Sequence, residues 1–473
     1  MLIGRKKEIR ELERVLKSPK GEMIAVLGRR RVGKTFLINE TYKDCIVFEQ
    51  IGVRNASNAA QLNTFTDALQ QLSNQPVKTP KDWQEAFFKL RDVLKPLVNQ
   101  DKKLVIFFDE LSWLAVKGYK FLDFLGHFWN SWASRQNIAV VLCGSATSWI
   151  IQKVINDKGG LHNRVTTYIN LKPFTLAETE EFLKAKHANF THYQIIEFYM
   201  TFGGIPLYLD KINPSKSAIQ NINDICFAEN GLLRHEFGRL YPALFDNPEH
   251  HIAVIRALAK SHKGLTRTEI IELSKIPNGR SATQVLEELQ QCSFIMAYQS
   301  FGKKKKDKIY RLTDEYSLFY LRFIEEQPYE GDGTFMQLSQ LQTYKTWTGY
   351  AFENVCMKHI LSVKKALGVS GVYTRTFSFL KKATETEGGL QIDMLLERAD
   401  RVIDLFEIKF YNTEFTMTKA YAEKLRRRTR LFMRLSKTKY QVRLSMITPF
   451  GLKNPNHSPG LLHSDFEIDS LFL

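Results

Sequence analysis

Uninterrupted apolar runs punctuate the first third of the chain, at residues 23–27 (MIAVL), 104–108 (LVIFF) and 138–143 (IAVVLC). Runs of this kind are what strands buried on both faces of a parallel sheet look like. Each gives way to glycine or polar residues, so each predicts a strand that ends in a turn. Further along the spacing becomes helical. Residues 251–262 (HIAVIRALAKSH) predict an amphipathic helix closing at Gly264. Residues 266–275 predict a second, opened by Thr266 with Glu269 in the pairing that caps both ends of a first turn. Thr175 and Glu178 make the same signature earlier. Pro277, Asn278 and Gly279 mark a turn, 280–295 a third helix, and 296–312 (MAYQSFGKKKKDKIYRL) a hairpin tipped by lysines 303–306. Two helices joined by a short glycine-containing turn and followed by a hairpin predict a winged helix-turn-helix. Residues 325–335 (EEQPYEGDGTF) are acidic and glycine-rich and read as a linker. Beyond it, 346–361 predicts an amphipathic helix carrying Glu353, and QIDMLLER and VIDLFEIKF predict strands carrying Asp393 and then Glu407 and Lys409. Residues 423–434 (EKLRRRTRLFMR) predict a helix with Leu425, Phe432 and Leu435 on one side and arginines on the other.

The chemistry begins after the first apolar run. Gly28, Gly33, Lys34 and Thr35 have the spacing G-x-x-x-x-G-K-[ST], between a predicted strand and a predicted helix. Two glycines let the backbone turn its N–H groups toward one point, where the positive end of the following helix favours phosphate. Lys34 then reaches the terminal phosphates and the Thr35 hydroxyl ligates magnesium. The expected nucleotide-binding run is Gly28, Arg29, Arg30, Arg31, Val32, Gly33, Lys34, Thr35 and Phe36. Asp109 and Glu110 follow the second apolar run, at the strand end where open α/β sheets bind ligands. Asp109 suits the magnesium shell, and Glu110 suits polarising an attacking water. After the third run come Ser145 and Thr147, which resemble the polar γ-phosphate sensor that additional-strand P-loop ATPases carry here and are otherwise ordinary turn residues. Arg164, before a further short strand, is either an arginine finger or sensor, or a surface arginine.

Composition widens the picture. At 473 residues, two to four domains are expected. A net charge of +17 and a pI of about 9.4 favour an anionic macromolecule such as DNA as partner, the alternative being a merely basic, soluble protein. Within the predicted winged helix, Arg280, Ser281, Thr283 and Gln284 would meet base edges and the lysines phosphates. The alternative is that the module packs against protein and the lysines tip a solvated hairpin. Cysteines 45, 143, 226, 292 and 356 lie far apart, so neither zinc nor a disulfide frame is expected. The charged opening MLIGRKKEIR is not that of a signal peptide, and no apolar run is long enough to span a membrane. A cytoplasmic protein is expected.

These residues resemble the archaeal-type AAA+-related P-loop ATPases. The opening IGRKKEIRELERVL is similar to the leader that precedes their P-loop, with Gly4, Arg5 and Glu8 in place. GGIPLYL, 203–209, is similar to the element ending their helical lid near the nucleotide base, and it nominates Pro206 for cofactor binding. YRLTDEYSLFYLRFI, 310–324, resembles the close of their winged-helix domain. Where the family often has glycine before the arginine at 164, this chain has Asn163. The resemblance implies an α/β P-loop core over 1–172, a helical lid over 173–245, a winged helix over 246–325, a linker over 326–340 and a nuclease-like domain over 341–473. It implies ATP and magnesium as ligands and is compatible with a homo-oligomer.

The last domain has its own pattern. Strand alternation puts Glu407 and Lys409 on one face. Helix-Glu353, strand-Asp393 and strand-Glu407-x-Lys409 resemble the PD-(D/E)XK nuclease fold. Asp393 and Glu407 would hold magnesium, and Lys409 would help activate water. The alternative is a retained fold that uses its acids structurally, in an ATP-switched DNA-binding or scaffolding protein without nuclease chemistry.

Overall fold

The three apolar runs become the centre of a parallel sheet. β1 (Glu22–Leu27), β2 (Ile46–Ile51), β3 (Leu104–Asp109), β4 (Ile138–Gly144) and β5 (Thr167–Asn170) stand in the order β2-β3-β4-β1-β5. Every pairing is parallel. All residues of β3 and β4 are buried, which is why the sequence could be apolar without alternation there. The computed structural model describes residues 2–99, 101–245, 247–302, 308–326, 333–381, 389–453 and 460–473; the lysine run 303–306 lies outside them. Contacts divide the chain into two units, Met1–Pro173 with Ala243–Asp246, and Phe174–Pro242 with Asn247–Leu473.

In the first unit, helices Asn58–Ser73, Trp83–Leu94 and Phe121–Ser131 bury an aromatic cluster beside the sheet. Trp83 is fully buried, edge-on to Phe121 at 4.7 Å, and its Nε1 donates to Asn58 Oδ1 at 2.8 Å. Its polar end is thus satisfied inside the core.

The second unit holds the remaining elements. Thr175 with Glu178 and Thr266 with Glu269 form the reciprocal caps their spacing predicts. The helix expected over 251–262 starts earlier and stops sooner, at Pro248–Ala259. Proline is well suited to a first turn, where its missing N–H costs no bond. After it come β6 (Leu265–Thr266), the helices Arg267–Ser274 and Arg280–Gln291, β7 (Ile295–Gln299) and β8 (Lys308–Leu312). These strands form a small antiparallel sheet, β6-β8-β7.

The linker expected over 326–340 is corrected in its second half. Residues Thr334–Gln340 are helical, and Phe335 is buried between Phe227 and Tyr344. One aromatic with a core to enter outweighs the glycines and acids before it.

The last sheet comprises β9 (Thr374–Lys381), β10 (Leu390–Arg398), β11 (Val402–Ile408), β13 (Gln441–Thr448) and β15 (Ser464–Glu467), with β12 (Phe415–Thr416) paired to β14 (Leu452–Lys453) beside it. Its order is β15-β13-β11-β10-β9, antiparallel from β9 to β11 and parallel from β11 to β15. Helix Lys419–Ser436 packs Leu425 and Phe432 onto it. The hairpin expected to project as a wing is pinned to this sheet. The Phe301 amide donates to the Ser378 carbonyl of β9 at 2.8 Å, and the Phe301 ring packs on Phe377 and Phe432. Among the described residues no helix is long and apolar enough to cross a membrane.

Candidate functional site

Because β3, β4 and β1 are parallel neighbours, their carboxyl ends lie side by side. The chain leaves β1 at Gly28, φ +146°, where a Cβ would stand 2.4 Å from the Leu171 carbonyl oxygen, so only glycine fits. The loop closes at Gly33, φ +89°, directly before the helix Lys34–Tyr42. Lys34 is buried, and its Nζ donates to the carbonyls of Gly28 at 2.8 Å and Arg29 at 3.2 Å. The ammonium is therefore already drawn into the mouth of the loop.

From Thr35 a line of polar contacts crosses to β3 and β4. Thr35 Oγ1 donates to Asp109 Oδ2 at 2.5 Å, and Asp109 Oδ1 accepts the Glu110 amide at 2.8 Å. Glu110 in turn accepts from the Ser145 hydroxyl at 2.9 Å and the Ser145 amide at 3.3 Å. Glu110 has left-handed backbone, φ 47° and ψ 50°. For a residue with a Cβ this costs on the order of 1–2 kcal/mol, and such strain clusters at functional sites. Burial pushes up the Glu49 carboxyl on β2, and the charge of Asp109 adds to it. Burial, and then Asp109, likewise push up the Cys143 thiol. The hydroxyl of Thr35 and the carboxylate of Asp109 are hard oxygen donors in contact with each other, a set that fits magnesium.

The remaining expected nucleotide residues are spread. Arg29 and Val32 are buried in the loop, Arg30 and Arg31 half-buried, and Phe36 is half-exposed on the first helical turn. Arg164 is not brought to the loop. It is exposed in the turn before β5, whose neighbour Thr166 already pairs with Met23 near the amino end of β1. Since β1 and β5 run parallel, Arg164 lies at the amino ends of the strands, roughly 15 Å along the strand from the phosphate loop at their carboxyl ends. A sensor role at this chain's own loop does not suit that place. Pro206 starts the short helix Pro206–Leu209 in the second unit, after Gly203 and Gly204. Gly204 packs so closely that a Cβ would meet the backbone of Phe174.

One contributor escaped sequence reasoning. Arg5 entered only as part of the leader phrase. Its guanidinium donates to the carbonyls of Val32 at 3.1 Å and Lys172 at 2.6 Å, bracing the phosphate loop from behind.

In the second unit, β10 and β11 pair with Met394 opposite Phe406. Asp393 and Glu407 are the next residues beyond this pair on their strands. Lys409 Nζ meets Glu407 Oε1 at 2.9 Å, as alternation predicts. Glu353, on helix Gln342–Lys358, pairs with buried Arg311 at 3.1 Å. Burial, and then Asp393, push the Glu353 carboxyl up to about 7, while Arg311 and Lys409 oppose the shift. Glu353 therefore lies within electrostatic reach of Asp393 and Lys409, and Lys409 in turn pairs with Glu407.

Their neighbours were not foreseen. Arg428 NH1 binds Glu407 Oε2 at 2.6 Å and its NH2 donates to the Gln391 carbonyl at 2.7 Å. This corrects the reading of helix 423–434, since Arg428 lies on the same face as Leu425 and Phe432, at helical spacing. Tyr421 donates to Glu407 Oε1 at 2.6 Å, and Gln391 Nε2 to Asp393 Oδ1 at 2.6 Å. Burial would raise Glu407, but Lys409 and Arg428 hold it below the usual carboxylate range. Among the described residues, no three acid, histidine or cysteine side chains are grouped to hold a metal. With both oxygens of Glu407 engaged, the expectation of Asp393 and Glu407 as magnesium ligands does not fit this arrangement. Arg280, Ser281, Thr283 and Gln284 are exposed on the first turns of their helix.

Residues 2–212 match the sequence profile of a family described as an ATPase domain predominantly from Archaea. The matched span contains the phosphate loop, the Asp109–Glu110 strand end and Pro206. The uncharacterized protein MJECL04 of Methanocaldococcus jannaschii is 22% identical over 453 residues, 91% of this chain and 92% of its own. Among solved structures, the Walker-type ATPase PABY2304 of Pyrococcus abyssi aligns with 68% of this chain and 96% of its own, at 20% identity and a TM-score of 0.49. Cdc6p of Pyrobaculum aerophilum aligns with 69% of this chain and 95% of its own, at 18% identity and a TM-score of 0.34.

Proposed function

We propose that this chain binds and hydrolyses ATP with magnesium at the first unit and acts on DNA through the second. The observation that carries the reading is the contact line Thr35–Asp109–Glu110–Ser145, which ties the phosphate loop to two neighbouring strand ends. The family match over 2–212 supports it. In this reading the loop amides and the helix amino end bind the phosphates. Lys34 leaves the carbonyls of Gly28 and Arg29 for the terminal phosphates. Magnesium at Thr35 and Asp109 would neutralise charge developing on the phosphate oxygens. Glu110, aimed by Ser145, accepts a proton from the attacking water. Phosphate release by the purified chain should require magnesium and fall at least about a hundredfold in Lys34→Ala. Equal turnover in parent and variant would defeat the assignment.

DNA is proposed from the net charge of +17 and from the exposed Arg280, Ser281, Thr283 and Gln284 of the helix read as the recognition helix of a winged helix. The span 341–473 is proposed as a nuclease-like domain, supported by the Glu407–Lys409 pair and by the charges of Asp393 and Lys409 acting on Glu353. A second reading, ATP-switched DNA binding without cleavage, is favoured by the arginines that hold Glu353 and Glu407. Incubation of nicked-circle-free plasmid with magnesium, with and without ATP, separates the two.

A further inference from the structure

Beside the Glu353 site, within the second unit, lies a cleft of about 430 Å³ between the end of helix Pro248–Ala259, β8 and helix Gln342–Lys358. That is the size of a small-ligand pocket. Lys260, Arg311 and Arg322 line it, and among its described lining residues there is no carboxylate. One wall is aromatic, with His262 stacked on Tyr350 at 3.9 Å between centroids and 19° between planes. Two lining residues carry buried polar atoms that make no hydrogen bond among the described residues. These are Arg311 Nε, a donor, and Asn354 Oδ1, an acceptor, on side chains 2% and 4% exposed. Both atoms are closed off from solvent, so the groups that face the open space of the cleft are its cationic and aromatic side chains.

We infer that this cleft takes a nucleotide. The base lies against the His262–Tyr350 wall, and the phosphate meets Lys260 and Arg322. Base-on-aromatic stacking with a cationic rim is how unpaired strands are held. Neither feature depends on the phosphate loop. The inference deepens the reading that the second unit meets nucleic acid, because Arg311, which lines the cleft, also holds Glu353. The same chemistry could come from a free nucleotide or from one nucleotide of a single strand.

The test uses the full chain carrying Lys34→Ala, so that the phosphate loop does not contribute. Fluorescence anisotropy of labelled dT12 and titration with AMP are measured in this background, in Tyr350→Ala and in the exposed pair Lys260→Glu with Arg322→Glu. Binding of dT12 that weakens about tenfold in both variants supports a strand nucleotide. Binding of AMP that weakens likewise supports a free one. Absence of binding by both probes overturns the inference. So does binding that is unchanged in both variants, although in that case the DNA-binding reading of the second unit survives.

Discussion

Both units bring carboxylates and a lysine together, but they surround them differently. In the first, Asp109 and Glu110 face hydroxyls and amides, from Thr35, Ser145 and the backbone, while Lys34 rests on carbonyls. In the second, Glu407 is gripped by Lys409, Arg428 and Tyr421, and Glu353 by Arg311. Hydroxyl and carbonyl partners give way readily to a phosphate or a hard cation. The buried guanidinium of Arg311 does not, since breaking its pair strands a charge, at about 3–5 kcal/mol. The same residue types thus make an open site in one unit and a tied one in the other, and only the neighbours tell them apart.

The largest effect that could break this contrast is cleavage. If the second site opens on DNA, magnesium-dependent nicking appears and is abolished by Asp393→Asn and by Lys409→Ala, with phosphate release unchanged. If the parent never nicks single- or double-stranded DNA, the tied arrangement is its working state. Next in size is stability confined to one unit. Trp83→Ala removes the centre of the first core and should cost about 3–5 kcal/mol. Urea unfolding should show the first unit's transition moving and the second unit's staying in place.

The smallest effect sharpens the electrostatics. Glu353 is raised in the folded chain to about 7, so the folded state holds a proton that the unfolded state has released. Its contribution to stability is present below about pH 4.5 and is lost as pH rises to about 7, because ionising it in the fold is opposed by burial and Asp393. The parent should therefore lose a few kcal/mol across that window that Glu353→Gln does not lose. Parallel pH profiles of parent and variant would remove the raised carboxyl from the account.

Much of this was legible in the chain. The strands that carry the phosphate site are continuous apolar runs, and the loop between Gly28 and Thr35 depends on local spacing alone. Alternation was enough to pair Glu407 with Lys409. What stayed hidden was set by distant chain segments. Arg5 meets the phosphate loop only through the folded backbone, and Arg164 follows the β4 end in sequence yet lies at the amino ends of the strands. Arg428 sits in a run of arginines that composition assigns to solvent, and one helical turn decides that it faces inward. Phe335 drew no attention inside a glycine-rich stretch, because its partners Phe227 and Tyr344 come from elsewhere.

The most direct measurement compares ATP turnover in Glu110→Gln and Asp393→Asn under identical magnesium. The account predicts that Glu110→Gln binds ATP as the parent does but turns it over about 10²–10⁴-fold more slowly, while Asp393→Asn hydrolyses at the parent rate. Full turnover by Glu110→Gln, or loss of turnover in Asp393→Asn alone, would contradict it.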